Sequence, residues 1–239
     1  MQRRIIIVMT NIILLEIQSS FQGMEQVVYP VLMQNDDSLV LLDCGYINSL
    51  VTLEEAVHKA GFALQGITHL LLTHHDHDHM GNAAEIKAKY PNVKIAASAL
   101  EEPYISGKRK SLRLEQAERM QELLPPEQKS FGEAFCDVLR RVKPLNVDII
   151  VNDGDHFAGC DVIATPGHTP GHISLYLPKQ KTVITGDAMA LEDGVPVIAN
   201  LQFTLDMSTA KKSMDKLLSL DANTYICYHG GVYRKETRS

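Results

Sequence analysis

The stretch Leu70–Asn82, LLLTHHDHDHMGN, constrains this chain more than any other part of it. Four histidines and two aspartates fill positions 74–79, directly behind an apolar run with the length and character of a buried strand. Imidazole and carboxylate are the borderline and hard ligands that bind divalent first-row metals. A solvated surface has no reason to crowd six of them behind an apolar strand, and merely compositional histidine tracts favour chain termini. The stretch reads as a metal site.

The rest of the chain is ordinary for a globular enzyme: 239 residues, 45% hydrophobic and 22% charged. This is long enough for a substantial core. A net charge of −6 argues against a nucleic-acid partner, which needs a basic footprint. Cys44, Cys136, Cys160 and Cys227 form no C-x-x-C pair and read as free thiols in a reducing compartment. Arg3-Arg4 followed by Ile5 to Leu15 has the outline of a signal peptide. But Thr10 and Asn11 interrupt the apolar run, and no cleavage-site pattern follows. The run is also too short to span a bilayer. A first or edge strand is expected there, with a cytoplasmic location and no membrane partner.

In chain order, Val27–Met33 and Leu39–Asp43 read as strands joined by the turn Asn35-Asp36-Asp37-Ser38. Thr52-Leu53-Glu54-Glu55 has the form of a capping box and Gly61 that of a helix terminator, which predicts a helix over 53–60. Ile67–Leu72 is the strand delivering the metal motif, Ala83–Tyr90 a helix behind it, and Val93–Ala97 the next strand. Residues 99–145 differ in character. Lys108-Arg109-Lys110 is a charge run suited to a solvated face. Leu114, Ala117, Met120, Gln121 and Leu124 make an imperfect helical stripe; Phe131, Phe135, Val138, Leu139 and Val142 make a clean one. With Pro125-Pro126 between them, they predict an inserted helical hairpin, which could roof an active site, merely pack, or form the surface of a homodimer. Strands return at Asp148–Val151, Asp161–Thr165, Ile173–Leu177 and Thr182–Thr185. A helix over Ser208–Leu220 and a strand over Thr224–Cys227 follow. Two strand-rich halves with their own helices imply two sheets face to face with helices outside.

Three further polar clusters close these later strands: Thr165-Pro166-Gly167-His168-Thr169-Pro170-Gly171-His172, Thr185-Gly186-Asp187 and Tyr228-His229-Gly230. Together with the first motif they resemble, in order and approximate spacing, the signature of the metallo-β-lactamase superfamily: H-x-H-x-D-H-x-G, T-P-G-H-T-x-G-H, a G-D step and a late His. The resemblance spans nearly the whole chain. It implies a single domain over 1–239 with the four-layer αβ/βα sandwich of that family, the hairpin inserted at about 99–145, and a two-metal cleft at one edge of the sheets.

The sequence departs from the signature at one position. Anchored on Asp78-His79-Met80-Gly81, the second His of the pattern falls on Asp76, giving His74-x-Asp76-x-Asp78-His79. In an extended segment alternate residues share a side, so the rival set is His75, His77 and His79; the family anchor favours the first. The resemblance then implies one ion held by His74, Asp76 and His168, a second by Asp78, His79 and His229, and Asp187 bridging them. His172 and Asp43 match supporting positions, while His75 and His77 are left to support the site or face solvent. His58, His69 and His156 lie outside all four motifs and read as surface or packing residues. The implied cofactors are two divalent metal ions, zinc first, with manganese or iron as alternatives.

The implied chemistry is hydrolysis of a small-molecule ester, thioester or lactone. Two cations that share a carboxylate can also share a water whose pKa falls to roughly 7, with Asp78 as the catalytic residue that orients it. With carboxylates at 76, 78 and 187, two ions and a hydroxide, the formal charge is zero, which points to a weaker electrophile and to harder metals such as manganese or iron. Several branches fit less well. Asp187 stands where some zinc β-lactamases use Cys, and Ala190 where quorum-quenching lactonases usually place Tyr. The basic face of nuclease members and the C-terminal helical region of hydroxyacylglutathione hydrolases are missing, the chain stopping ten residues after His229. The rival class is an iron-dependent oxidoreductase of the same fold, like flavodiiron proteins, which carry a carboxylate (Glu) at the Asp76 position, or persulfide dioxygenases. A metal-stabilised binding protein is a third.

Overall fold

The computed structural model describes residues 10–35 and 38–235. In chain order the first half comprises β1 (Asn11–Leu14), β2 (Ile17–Phe21), β3 (Met24–Val28), β4 (Val31–Gln34), β5 (Leu39–Leu42), α1 (Leu50–Lys59), β6 (His69–Leu71), α2 (Ala83–Lys89) and β7 (Lys94–Ser98). The insertion supplies α3 (Glu102–Ile105), α4 (Leu112–Leu123) and α5 (Lys129–Arg140). The second half runs β8 (Ile149–Val151), β9 (His156–Phe157), β10 (Cys160–Ala164), β11 (Ile173–Leu177), β12 (Thr182–Gly186), β13 (Ala190–Glu192), β14 (Val195–Val197), α6 (Met207–Leu218), β15 (Thr224–Cys227) and β16 (Gly231–Arg234). Residues 5–9 of the N-terminal apolar run, the Arg3-Arg4 pair and part of the 35–38 turn lie outside the described residues; Asn11–Leu14 of the run form the edge strand β1.

Two six-stranded sheets, ordered β1-β4-β5-β6-β7-β8 and β16-β15-β12-β11-β10-β9, carry the fold. Alternation along the strands decides which layer each side chain enters. Val31 and Met33 of β4, with Val40 and Leu42 of β5, join Val162, Leu175 and Ile184 of the second sheet in a core between the sheets. Leu32 and Leu41 point the other way, to Leu53 and Val57 of α1 and Ile86 of α2. On the far side of the second sheet, Val183 and Tyr225 meet Leu217 of α6. The chain is therefore an αβ/βα sandwich with helices on both outer faces. The hairpin α4–α5 closes a small core of its own around Ala117, Cys136 and Leu139.

The structure corrects three local expectations. The strand expected over Val27–Met33 breaks at Tyr29-Pro30: Pro30 has no N–H for a ladder, and the Tyr29 N–H donates instead to Tyr228 O at 2.9 Å. Helix α1 begins at Leu50, three residues before the expected start at 53, so Thr52–Glu55 is not a capping box. The residue at its N-cap, Ser49, uses its hydroxyl elsewhere, donating to Tyr46 O and accepting from Asn82 Nδ2. The hairpin β13–β14 and the last strand β16 went unexpected, because each is short and lacks a clear apolar alternation.

The turn from β6 into α2 is held by close packing. A Cβ on Gly81 would lie 2.3 Å from Ile47 N, 2.4 Å from Tyr46 C and 2.5 Å from His77 O, all backbone atoms. Relieving the clash means moving the segment that carries residues 74–79. Gly81→Ala is expected to lower stability by about 2 kcal/mol or more, read as a drop in the urea midpoint; an unchanged midpoint would contradict this packing.

Candidate metal centre

The polar clusters sit where strands end. Asp43 follows β5, residues 73–79 follow β6, Asp187 follows β12, His229 follows β15, and His168 and His172 lie in the β10–β11 connection. The two sheets bring these ends together at one edge. Three groups of ligand atoms then lie within 4.8 Å of one another: His74, Asp76 and His168; His74, His79 and Asp187; Asp78, His79 and His229.

The finer distances divide into two clusters. In the first, Asp76 Oδ2 is 3.5 Å from His74 Nε2 and 3.0 Å from His168 Nε2. In the second, His229 Nε2 is 3.3 Å from Asp78 Oδ2 and 3.5 Å from Asp187 Oδ1, and His79 Nε2 is 3.2 Å from Asp187 Oδ1. Asp187 faces both clusters, with Oδ1 toward His79 and Oδ2 3.4 Å from His168 Nε2. Ligands of one tetrahedral ion at bonds of about 2.0–2.1 Å are separated by about 3.3 Å, so these spacings fit metal ions. Orphaned atoms point the same way: His74 Nε2, His79 Nε2 and Asp187 Oδ1 are buried without a hydrogen-bond partner, which native interiors rarely tolerate.

Neighbouring groups fix the rings. Asp43 accepts from Thr73 N and Thr73 Oγ1 and lies 2.8 Å from His79 Nδ1, leaving His79 Nε2 for the cluster in the usual carboxylate–histidine arrangement. Thr73 Oγ1 also meets His74 Nδ1 at 3.0 Å. His172 Nε2 accepts the Asp187 N–H at 2.8 Å while its Nδ1 meets Thr165 Oγ1 at 2.8 Å. With its Nε2 lone pair occupied, His172 holds Asp187 in place. Tyr228 Oη donates to Asp78 O at 2.5 Å and accepts from Gly45 N.

His75 and His77 join none of the three ligand groups, although His77 Nδ1 lies 3.4 Å from Asp78 Oδ1. His75 is buried against Glu101 in a short contact and stacks on Tyr104 at 4.7 Å. Glu101 in turn accepts from Thr169 Oγ1 and Gly171 N, at 2.7 and 2.8 Å. One carboxylate thus ties the first motif to the turn carrying His168. Sequence reasoning missed Glu101, whose sole signal is an acidic residue at the start of the insertion. His77 packs edge-on to Tyr46 and Phe135. His156, 65% exposed at its side chain, pairs with Asp161, and His69 packs on Phe157.

Sequence reasoning also missed Arg113. It is 2% exposed, and it reaches from the first turn of α4 to Asp76, with Nη2 at 2.6 Å and Nε at 3.0 Å from Oδ2. The zero formal charge counted from the sequence left out this guanidinium, which brings a positive charge against Asp76. The available signal was an arginine four residues before Ala117 on the buried side of a helix.

The protonation pattern is set by competing burial and charge. Burial would lower His79, but Asp187, Asp43 and Asp78 hold it well above the ordinary 6.5. His229 is likewise lowered by burial yet pushed up to about 10 by Asp187 and Asp78. Burial would raise Asp76 and Asp187, but Arg113 for the first, and His229, His79 and His168 for the second, hold both well below the usual carboxylate range. Burial and the neighbouring His74 push His172 down, which suits its role as an acceptor. Burial also drives Cys160 and Cys227 up to about 12, so these free thiols are inert at neutral pH.

The profile of the metallo-beta-lactamase superfamily matches residues 24–229, and the chain belongs to that superfamily. A probable metallo-hydrolase, YflN of Bacillus subtilis strain 168, is 31% identical over 207 residues, covering 81% of this chain and 75% of its own. Among solved structures, the family protein TTHA1429 of Thermus thermophilus superposes with a TM-score of 0.72 at 22% identity, over 94% of this chain and 75% of that one. TTHA1623 in a di-iron-bound form gives 0.61 at 24% identity, over 87% and 89%. Among the described residues no helix is long and apolar enough to cross a membrane.

A ligand imidazole must shed its proton before it can bind a metal. In protein stripped by chelation, His79 and His229 carry protons at pH 7, so adding zinc is expected to release protons and affinity to rise with pH through the neutral range. An indicator-dye titration in weak buffer reads this; metal uptake without proton release would contradict the pattern. The sign for stability follows the same groups. In stripped protein the contribution of the raised histidines is full below 6.5 and fades for His229 as pH rises through about 10. That of the depressed aspartates is present above 3.8 and lost on further acidification.

Proposed function

We propose that this chain is a metal-dependent hydrolase of a small ester, thioester or lactone, working through two divalent ions. The observation that carries the reading is the division of Asp187, one oxygen facing each ligand cluster. His74, Asp76 and His168 would hold one ion; Asp78, His79 and His229 the other; Asp187 both. When bound, the ions supply Lewis acidity, making a water acidic near neutral pH and polarising a substrate carbonyl. Zinc is the first candidate.

The chain's own residues shape the rest. A cavity of about 280 Å³ is lined by the candidate ligands Asp76, Asp78, Asp187, His168 and His229, by Arg113, and by the apolar or aromatic Val27, Tyr46, Phe135 and Phe203. Its size suits a small molecule. The apolar wall would hold the acyl portion while the carbonyl turns toward the ligands. Asp78 is within reach of His229 and faces the cavity, so its carboxylate would orient the attacking water and take its proton. Phe135 comes from the inserted hairpin, which favours a roofing role for that hairpin over mere packing.

One observation favours a second reading, an iron-dependent oxidoreductase. Asp76 supplies a hard carboxylate, and the similar fold of TTHA1623 is known in a di-iron-bound form. Anaerobic purification with metal counting separates the two: iron with O₂ consumption selects the oxidoreductase.

Dialysis against a chelator is expected to abolish hydrolysis of a reactive ester, lactone or thioester, and zinc to restore it. Phe135→Ala is expected to raise KM for longer acyl chains by about tenfold or more. Hydrolysis that survives complete metal removal, or no hydrolysis across the panel with metal bound, would overturn the proposal.

A further inference from the structure

We propose that Arg113 makes the two metal positions unequal: its guanidinium holds the first position, so the second fills first and the first fills only when Arg113 withdraws. This rests on the two-ion reading above and concerns how that centre loads.

The argument starts from lone pairs. Arg113 Nη2 is 2.6 Å from Asp76 Oδ2 and 3.2 Å from His168 Nε2, and those two atoms are 3.0 Å apart. They are two of the three ligand atoms that would define the first position. An imidazole nitrogen has one lone pair in the ring plane, so His168 Nε2 cannot accept from a guanidinium and bind an ion at once. Asp76 Oδ2 already accepts twice from the guanidinium, and a divalent cation bonded to that oxygen would lie against a second positive charge in a buried site. Arginine cannot escape by deprotonation. It must move.

Among the described residues no lysine or arginine pairs with the carboxylates of the second position. Asp78, His79, His229 and Asp187 Oδ1 face one another there, with the side chain of His229 29% exposed on the cavity side. The two positions therefore differ in what an incoming ion must displace: protons at the second, a fixed side chain at the first.

Arg113 is also fastened at its other edge. Nη1 donates to Gln116 Oε1 and Phe203 O in short contacts, and the guanidinium lies 4.9 Å from the Phe203 ring centre. Its withdrawal thus disturbs the first turn of α4 and the loop around Phe203, both of which border the cavity. Metal occupancy of the first position and the set of the hairpin are coupled.

The test is titration of chelator-stripped protein with cobalt(II), followed by visible absorption and equilibrium metal counting, together with amide exchange over 112–123. Wild type is expected to bind two ions in steps separated by roughly 100-fold or more in affinity, the cost expected for breaking a buried charge pair. Exchange over 112–123 should accelerate only at the second step. In Arg113→Gln the two steps should converge to within about tenfold. Asp76→His, which removes the carboxylate that Arg113 grips and keeps a ligand, should converge likewise. Wild type taking both ions with equal affinity, or Arg113→Gln and Asp76→His both keeping the separation, would overturn the proposal while leaving the two-ion hydrolase standing. Should one variant fail to fold, the other and the wild-type isotherm still decide. Binding of no cobalt at all would overturn both.

Discussion

Buried carboxylates need cations, and the site is arranged around that demand. Asp43, Asp76, Asp78 and Asp187 are all nearly inaccessible, crowded among imidazoles at one edge of the sandwich. Charge held away from water is expensive unless it is paired and hydrogen-bonded. The protein meets part of the requirement itself, with Arg113 on Asp76 and raised histidines beside Asp78 and Asp187. Buried atoms of His74, Asp76, His79 and Asp187 still make no hydrogen bond, and divalent ions held among them would complete the balance.

This demand explains why the fold is built as it is. Strand ends deliver short side chains with little freedom, and the core between the sheets keeps those ends in register. Around the ligands lies a ring of hydrogen bonds that uses up alternative partners: Asp43 on His79, Thr73 on His74, His172 on the Asp187 backbone, Glu101 bridging His75 to the turn of His168. Preorganisation of this kind is what lets a site hold its geometry when charge develops on a substrate.

Much of this was legible in the sequence, and the reasons are physical. Continuous apolar runs at 31–33 and 40–42 announce strands buried on both faces, and motif residues at strand ends mark where loops gather. The candidate ligands could be proposed because they belong to four local patterns, and the fold brings those side chains together. What escaped was set by tertiary contacts that no local pattern encodes. Arg113 sits amid a weakly amphipathic helix, and only the folded chain shows it answering Asp76 across 37 positions. Glu101 looks like any helix-start acid until it meets His75 and Gly171. The displaced start of α1 has the same origin: Ser49 is drawn off by Asn82, 33 residues away.

The central claim is that seven side chains from four separated segments share a pair of ions, with Asp187 between them. Anomalous diffraction at the zinc edge, from crystals of the protein loaded with excess zinc, tests it most directly. The account predicts two peaks, one touching His74, Asp76 and His168, the other Asp78, His79 and His229, both in contact with Asp187. Peaks at other residues, or none at this edge of the sheets, would contradict it.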